Sequence, residues 1–288
     1  MHFPDDGKRG GKRLVSSLAE TISEKLADMP ARERRAAHAL IASYPMLGMK
    51  TVAEFAQRAG VSPPTILRLV ARLGFQNYAE FQAALNDELA ARLQSPLSRT
   101  HRGGGAGESA PLVAAIVDNI SETFRTVSER QLAEVVALLS DTRRRIHLVG
   151  GRFTDPIARY ATAHLAIVRP GVVHLDGQEN LWRDRLIDFG KRDVLLVLDI
   201  RRYQSSLLDF AEKASRRGAA VILLTDQWLS PIARCASHVL AARTTVPSAW
   251  DSSAALFVIA ERLIAGVTAS LPEIGAARIR EMDELRRE

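Results

Sequence analysis

The run KTVAEFAQRAGVSPPTILRLVARLGF, residues 50–75, constrains the fold of this chain more than any other stretch. Thr51 followed by Glu54 has the spacing of a capping box, in which each side chain satisfies an orphan amide at a helix start. Val52, Phe55, Ala56 and Ala59 then mark one apolar face at helical spacing. Gly60 ends this helix, because a left-handed turn carries little penalty at glycine. Ser62 is placed to cap a second helix, and Pro63 to open it where no amide donor is needed. Ile66, Leu69, Val70 and Leu73 fall at i, i+3, i+4 and i+7, a stripe to be buried, and Gly74 closes the helix. Two short helices on a tight glycine turn make a helix-turn-helix.

The opposite face of the second helix carries Pro64, Thr65, Arg68, Ala71 and Arg72. Small residues near the helix start admit it to the major groove of double-stranded DNA. Arg68 has the reach and the fork for a base edge, most often guanine. Ser62 and the first amides suit a phosphate, and Lys50 and Arg58 add backbone contacts. The competing reading is a helical hairpin with solvated arginines. An upstream helix over 31–43 supplies Ala36, Leu40 and Ile41 to a small core. A later one over 78–93 extends toward a dimer partner.

The stretch SPLSRTHRGGGAGESA, residues 95–110, lacks periodicity and reads as a linker. It divides the chain into an all-helical part over 1–94 and a part over 111–271 in which strands and helices alternate. A charged tail, a short helix or disordered, follows over 272–288. Strands are expected at 145–149, 172–175, 194–198, 220–224 and 238–241. Helices are expected at 155–168, 178–188 and 204–217, with a short turn over 231–236. Such alternation predicts a five-stranded parallel sheet covered on both faces, so the fold class is α plus α/β. A helical pair over 112–127 and 130–140 precedes the sheet and a long helix over 251–269 closes it. The net charge of +6 is denser before the linker, which suits a nucleic-acid partner.

The residues 29–85 resemble the N-terminal domain of the RpiR/MurR family of bacterial regulators. The family run A-G-V-S-x-x-T-[IV]-x-R, ending R-L-G-F and followed by [YF]-x-x-[FL], is met by Ala59–Ser62, Thr65, Ile66, Arg68, Arg72–Phe75, Tyr78 and Phe81. Pro64 departs from it, in a first turn that tolerates proline. The second part resembles the sugar isomerase (SIS) domain that usually accompanies this one. The carriers are IHLVGG at 146–151, GAAVILLT at 218–225 with Ser230-Pro231-Ile232-Ala233, and a closing helix over 252–264. The resemblance implies a homodimer or homotetramer that binds a near-palindromic operator and is controlled by a small-molecule effector.

The ligand loops depart from the SIS pattern. Where phosphosugar-binding members carry serine and then S-x-S-G-x-T, this chain has Gly150-Gly151-Arg152-Phe153-Thr154 and Asp199-Ile200-Arg201-Arg202-Tyr203-Gln204-Ser205. Gly151, Arg152, Asp199, Arg201, Arg202 and Gln204 are therefore the effector residues to test. Ser252 is either a further contact or, like Asp251, a cap of the closing helix. Either the arginines bind an anionic metabolite at the carboxyl ends of the strands, or Asp199 pairs with them in a structural network. The alternatives are a sugar-phosphate isomerase, with His174 and Glu179 in proton transfer, and an SIS-like dimerisation module without ligand. His147, His164, His174 and His238 lack metal-ligand spacing, so no metal or cofactor is expected. Trp182, Trp228 and Trp250 either line the ligand region or simply pack, packing being the favoured reading, and the single Cys235 is read as an inert buried thiol. A polar start and no membrane-length apolar run predict a cytoplasmic protein.

Overall fold

The computed structural model describes residues 18–93, 109–177 and 179–287. Among the described residues, five helices form the N-terminal part: α1 (Leu18–Lys25), α2 (Ala31–Ala42), α3 (Val52–Ala59), α4 (Pro63–Arg72) and α5 (Tyr78–Leu93). Their apolar faces meet in one core of Leu18, Ile22, Leu40, Phe55, Ile66, Leu69, Phe81 and Leu85. Tyr78 of α5 donates its hydroxyl to the carbonyls of Gly48 and Lys50, at 3.0 and 2.9 Å. Burial raises that phenol to about 12, so it stays a donor.

Two helices, α6 (Ser109–Thr126) and α7 (Glu129–Ser140), lead into the α/β part. There follow β1 (Arg145–Gly150), α8 (Asp155–Val168), β2 (Val172–His174), α9 (Glu179–Arg185), β3 (Asp193–Asp199), α10 (Ser205–Arg216), β4 (Ala220–Asp226), β5 (His238–Ala242) and α11 (Ala254–Ser270). Most of the expected linker lies outside the described residues, while Ser109 and Ala110 already belong to α6.

The five strands are all parallel, in the order β2-β1-β3-β4-β5. Each side chain along a strand alternates between two cores. Val194, Leu196 and Leu198 of β3 enter the core shared with α6, α7, α8 and α11, while Leu195 and Val197 enter the core against α9 and α10. That two-sided burial is why the strands read as near-continuous apolar runs. From β1 the chain runs outward to β2, then returns past β1 to β3 and continues the other way. The carboxyl ends of β1 and β3 therefore flank a topological switch point, where open α/β sheets bind ligands.

Arg169, fully buried, locks one corner of this part. Its guanidinium donates to the carbonyls of Leu139, Asp141 and Arg144, and its Nε to that of Pro170 at 3.0 Å. It thereby caps the end of α7 and ties it to the residues entering β1. The stretch after 271, expected as a charged tail, contains a helix, α12 (Pro272–Leu285). Arg278 anchors it to the carbonyls of Ala166 and Ile167 at the end of α8, at 2.8 and 3.1 Å. Among the described residues no single helix is long and apolar enough to cross a membrane.

The helical part touches the α/β part where α2 packs against the 3-10 turn Pro231–Arg234. A cavity of about 530 Å³ opens beside this contact, between His38 and Ile41 on one side and Val127, Glu134 and His238 on the other.

Candidate functional site

The helix-turn-helix is built as its sequence dictates. Thr51 and Glu54 exchange both capping bonds, at 3.0 and 3.2 Å, and Gly60 takes the left-handed φ of 62°. On α4, Ile66, Leu69, Val70 and Leu73 are buried, while Pro64, Leu67, Arg68, Ala71 and Arg72 face solvent. Two expectations need correction. Thr65 is fully buried and not available to DNA. Ser62 stands at the cap position but makes no side-chain cap bond. The reason is that Pro63 and Pro64 remove two first-turn amides and the amide of Thr65 is spent on the Ser62 carbonyl at 2.9 Å. The Ser62 hydroxyl bonds that of Thr65 instead, at 2.9 Å. A phosphate here meets the exposed Ser62 hydroxyl, with those two amides missing.

A buried glutamate organises the exposed arginines. Glu33 of α2 accepts from Arg72 Nε at 2.6 Å and lies 3.8 Å from Arg68 Nε. Arg68 also donates to Thr65 Oγ1 at 3.2 Å, yet its side chain stays 60% exposed. The arrangement holds Arg72 as a clamp and presents Arg68 outward. Sequence reading passed over Glu33, although it shares the register of Ala36, Ala37 and Leu40 on the buried face of α2. It also passed over Arg32 and Arg35. With Gly60, Val61 and Ser62 these exposed residues line a depression of about 480 Å³ beside the turn. Lys50 and Arg58 are exposed at the start and end of α3.

The second site lies at the switch point between β1 and β3. Gly150 is obligatory there, because a Cβ on it falls 2.4 Å from the backbone of Asp155 at the start of α8. A Cβ on Gly151 meets Gln204 Oε1 at 2.9 Å. The loop after β1 thus lies directly on the loop after β3, and the Arg152 amide donates to Gln204 Oε1 at 2.9 Å. Other loop amides are also taken by the chain's own oxygens. Gly151 N donates to Thr154 Oγ1 at 2.9 Å, Arg201 N to Asp226 Oδ2 at 2.6 Å, and Gln204 N to Asp199 Oδ1 at 3.4 Å. Asp226, at the end of β4, also accepts from Tyr203 and the Trp228 amide. Carboxylates of the protein itself thus hold amides of the β3 loop.

Of the two alternatives for the loops, the network between Asp199 and the arginines does not form. Buried Asp199 accepts from Ser230 Oγ at 2.6 Å, and Arg201 pairs with Asp251 at 3.0 Å while stacking 4.0 Å over Trp228. Arg201 is thus sequestered, its side chain 8% exposed, and the three arginines do not converge. Arg152 and Arg202 remain exposed, Arg202 with a left-handed φ of 67°. Neither Ser252 nor Asp251 occupies the cap position of α11, which falls to Ser253. Ser252 Oγ accepts from the Ala254 amide at 3.3 Å, and Asp251 is drawn away to Arg201. His174 bonds Asp155 at 2.8 Å and Glu179 accepts from Ser206 at 2.6 Å, so each has a partner of its own. Trp182 and Trp228 are buried, Trp250 is not. Cys235 is half-buried, and burial pushes its thiol up.

Burial, followed by the nearby Asp226 charge, pushes the Asp199 carboxyl up to about 7 against the pull of its Ser230 and Gln204 bonds. A carboxyl raised on folding lends stability that is complete below its unfolded value and lost as pH rises through about 7. The slope from this group alone is about 1.4 kcal/mol per pH unit. Urea midpoints between about pH 4 and pH 7 should therefore fall more steeply in the wild type than in Asp199→Asn. Parallel curves for the two proteins would assign the pH response elsewhere.

Two family models match the chain: the helix-turn-helix domain of the rpiR family over residues 16–92 and the SIS domain over residues 138–266. An HTH-type transcriptional regulator of Haemophilus influenzae, itself uncharacterized, is 25% identical over 232 residues, covering 78% of this chain and 77% of its own. HexR of Pseudomonas aeruginosa, also an HTH-type transcriptional regulator, is 23% identical over 242 residues, 78% of this chain and 79% of its own. The bifunctional protein glk of Burkholderia thailandensis is 24% identical over 230 residues, 78% of this chain but 35% of that longer protein. Among solved structures, the Vibrio vulnificus NanR protein complexed with ManNAc-6P superimposes with a TM-score of 0.54 at 17% identity, covering 93% of this chain and 97% of its own. The sugar isomerase domain of an RpiR transcription factor from Sphaerobacter thermophilus gives 0.56 at 24% identity, over 61% of this chain and 97% of its own. Both likenesses establish the fold.

Fold and family models together define a transcription regulator in which a helix-turn-helix is joined to an SIS-type α/β domain. Its residues 16–92 match the helix-turn-helix domain of the rpiR family, and HTH-type transcriptional regulators resemble it over 78% of its length.

Proposed function

We propose that this regulator binds a specific, near-palindromic operator as a homodimer or homotetramer and senses a small anionic sugar derivative at the β1/β3 switch point, without turning it over. The observation that carries the DNA reading is the outward face of α4. Arg68 is presented there by Glu33 and Thr65 on a helix whose other face is buried. Arg68 reads a base edge, with Pro64 close to the groove floor and Arg72 bracing it. Ser62, Lys50 and Arg58 contact phosphates, joined by Arg32 and Arg35. Two-fold symmetry of the protein imposes the near-palindrome.

Arg152 and Arg202, one on each loop of the crevice, supply positive charge for the effector. The start of α10, whose cap Gln204 makes no side-chain cap bond, adds its dipole. The sugar phosphate held by NanR, similar in fold, supports this ligand class. The boundaries 1–94, 95–108 and 109–271 serve as the proposed units, the last beginning with α6, and the cytoplasm as the place of action.

The test is to capture fragmented genomic DNA on the purified protein at two salt concentrations and sequence what is retained. One or a few near-palindromic sites that survive the higher salt are expected, because non-specific phosphate contacts weaken steeply with salt. Uniform retention lost at higher salt would leave only non-specific binding and sink the operator reading.

A further inference from the structure

Two large aromatic rings stand in solvent at the carboxyl ends of the strands. Phe153, in the loop after β1, is 48% exposed, and Trp250, between β5 and α11, is 57% exposed. Their centroids lie 5.7 Å apart with an interplanar angle of 60°. The Arg152 guanidinium lies 5.4 Å from the Phe153 ring centroid, so a cation adjoins the pair.

The segment over 243–253 explains how these rings meet. β5 and β1 are separated in the sheet by β4 and β3, roughly 14 Å at ordinary strand spacing. The segment returns across that gap. Asp251 pairs with Arg201 behind β3, both side chains nearly buried, and Trp250 reaches Phe153 behind β1. Ser252 N closes the base of the segment on the Thr244 carbonyl at 2.8 Å. Trp250 is therefore held over the switch-point crevice by a buried ion pair at the adjacent residue. A tryptophan fixed there and left exposed, beside a second exposed ring, offers an apolar contact surface.

We propose that Phe153 and Trp250 form an aromatic platform for the sugar ring of the effector, whose charged group falls to Arg152. One face of a pyranose presents axial C–H bonds to an aromatic ring, while its hydroxyls stay solvated at the edge. An anion beside that ring suits a platform flanked by a guanidinium. The inference rests on the effector reading above and narrows it to ligands with both a ring and a charge. It also gives Arg201 a role other than ligand contact: it anchors the segment that carries Trp250.

Trp250 offers its own readout, since the other two tryptophans are buried. Full-length wild-type protein is titrated with N-acetylmannosamine 6-phosphate, glucose 6-phosphate and their unphosphorylated parents. Melting temperature and acrylamide quenching of tryptophan emission are followed together. A compound that raises the melting temperature is expected to shield Trp250 from acrylamide. Trp250→Ala is expected to weaken its binding by about tenfold, and Trp250→Phe to stay within about threefold of wild type. Stabilisation with unchanged quenching and unchanged affinity of Trp250→Ala would overturn the platform and leave the sensor reading standing. If none of the four compounds shifts the wild-type melting temperature, the sensor reading falls and the platform with it. Loss of oligomer in Trp250→Ala with ligand affinity intact would assign the rings to a contact between copies of the chain, and the platform fails.

Discussion

Arg169→Met should melt roughly 10 °C below the wild type, the largest loss of stability expected from one change in this protein. The side chain is fully buried and its guanidinium serves the carbonyls of Leu139, Asp141, Arg144 and Pro170. Methionine fills much of the same volume but donates nothing. The Leu139 carbonyl, in the last turn of α7, has no helical partner to return to. Each buried acceptor left unpaired costs about 1–3 kcal/mol, while removing the buried charge recovers part of the total. A net loss of about 3 kcal/mol or more follows, read by calorimetry on the full chain. Arg169→Lys should recover only part of it, because an ammonium is a compact donor without the planar fork. A Met variant melting within about 2 °C of wild type would mean that water replaces the guanidinium at this corner.

Arg68→Ala carries the largest expected loss of function. A bidentate arginine contact to a base discriminates by about 1–3 kcal/mol, so operator affinity should fall between about fivefold and 150-fold per half-site. Binding to a scrambled duplex should change far less, because a base contact adds little to the non-specific term. Lys50→Ala and Arg58→Ala should behave in the opposite way. They weaken both duplexes alike and reduce the salt dependence by about one phosphate contact each. Fluorescence anisotropy with the two duplexes, at several salt concentrations, separates the patterns. Equal losses on operator and scrambled DNA would reduce Arg68 to a phosphate contact. Arg72→Ala serves as a contrast: it strips Glu33 of its closest partner and should reduce stability along with binding.

The residues that made the fold legible are those whose information is local. The Thr51–Glu54 box, Gly60 and the stripe of Ile66, Leu69, Val70 and Leu73 each act within one or two helical turns. The apolar runs of β1, β3 and β4 announced strands buried on both faces. Local information also led astray at Ser62, where the cap residue was right but its bond was not. Pro64 had removed one amide a cap would serve, and that of Thr65 is spent on the Ser62 carbonyl. In the tail the helical alternative is the one that forms, but its anchoring was not legible: α12 is held by Arg278 on carbonyls 111 and 112 residues earlier, which no periodicity encodes. The crevice was located by its glycines and by the strand order, but its wiring was not. Arg201 finds Asp251, and Asp199 finds Ser230, across 50 and 31 residues of chain. Glu33 was readable in principle, as a glutamate in apolar register with the arginines of α4 left to meet it.

Ser230 belongs to two structures at once. Its hydroxyl donates to Asp199 in the crevice and also accepts from Ile232 N, capping the turn Pro231–Arg234. That turn bears on α2, and α2 carries the glutamate that grips Arg68 and Arg72. Crevice and recognition helix are therefore joined by a short mechanical train: one carboxyl, one hydroxyl, one turn and one rigid helix. If that contact transmits, Ser230→Ala, which removes both of its bonds, is expected to change operator affinity without touching α4, and an unchanged affinity would show that it transmits nothing.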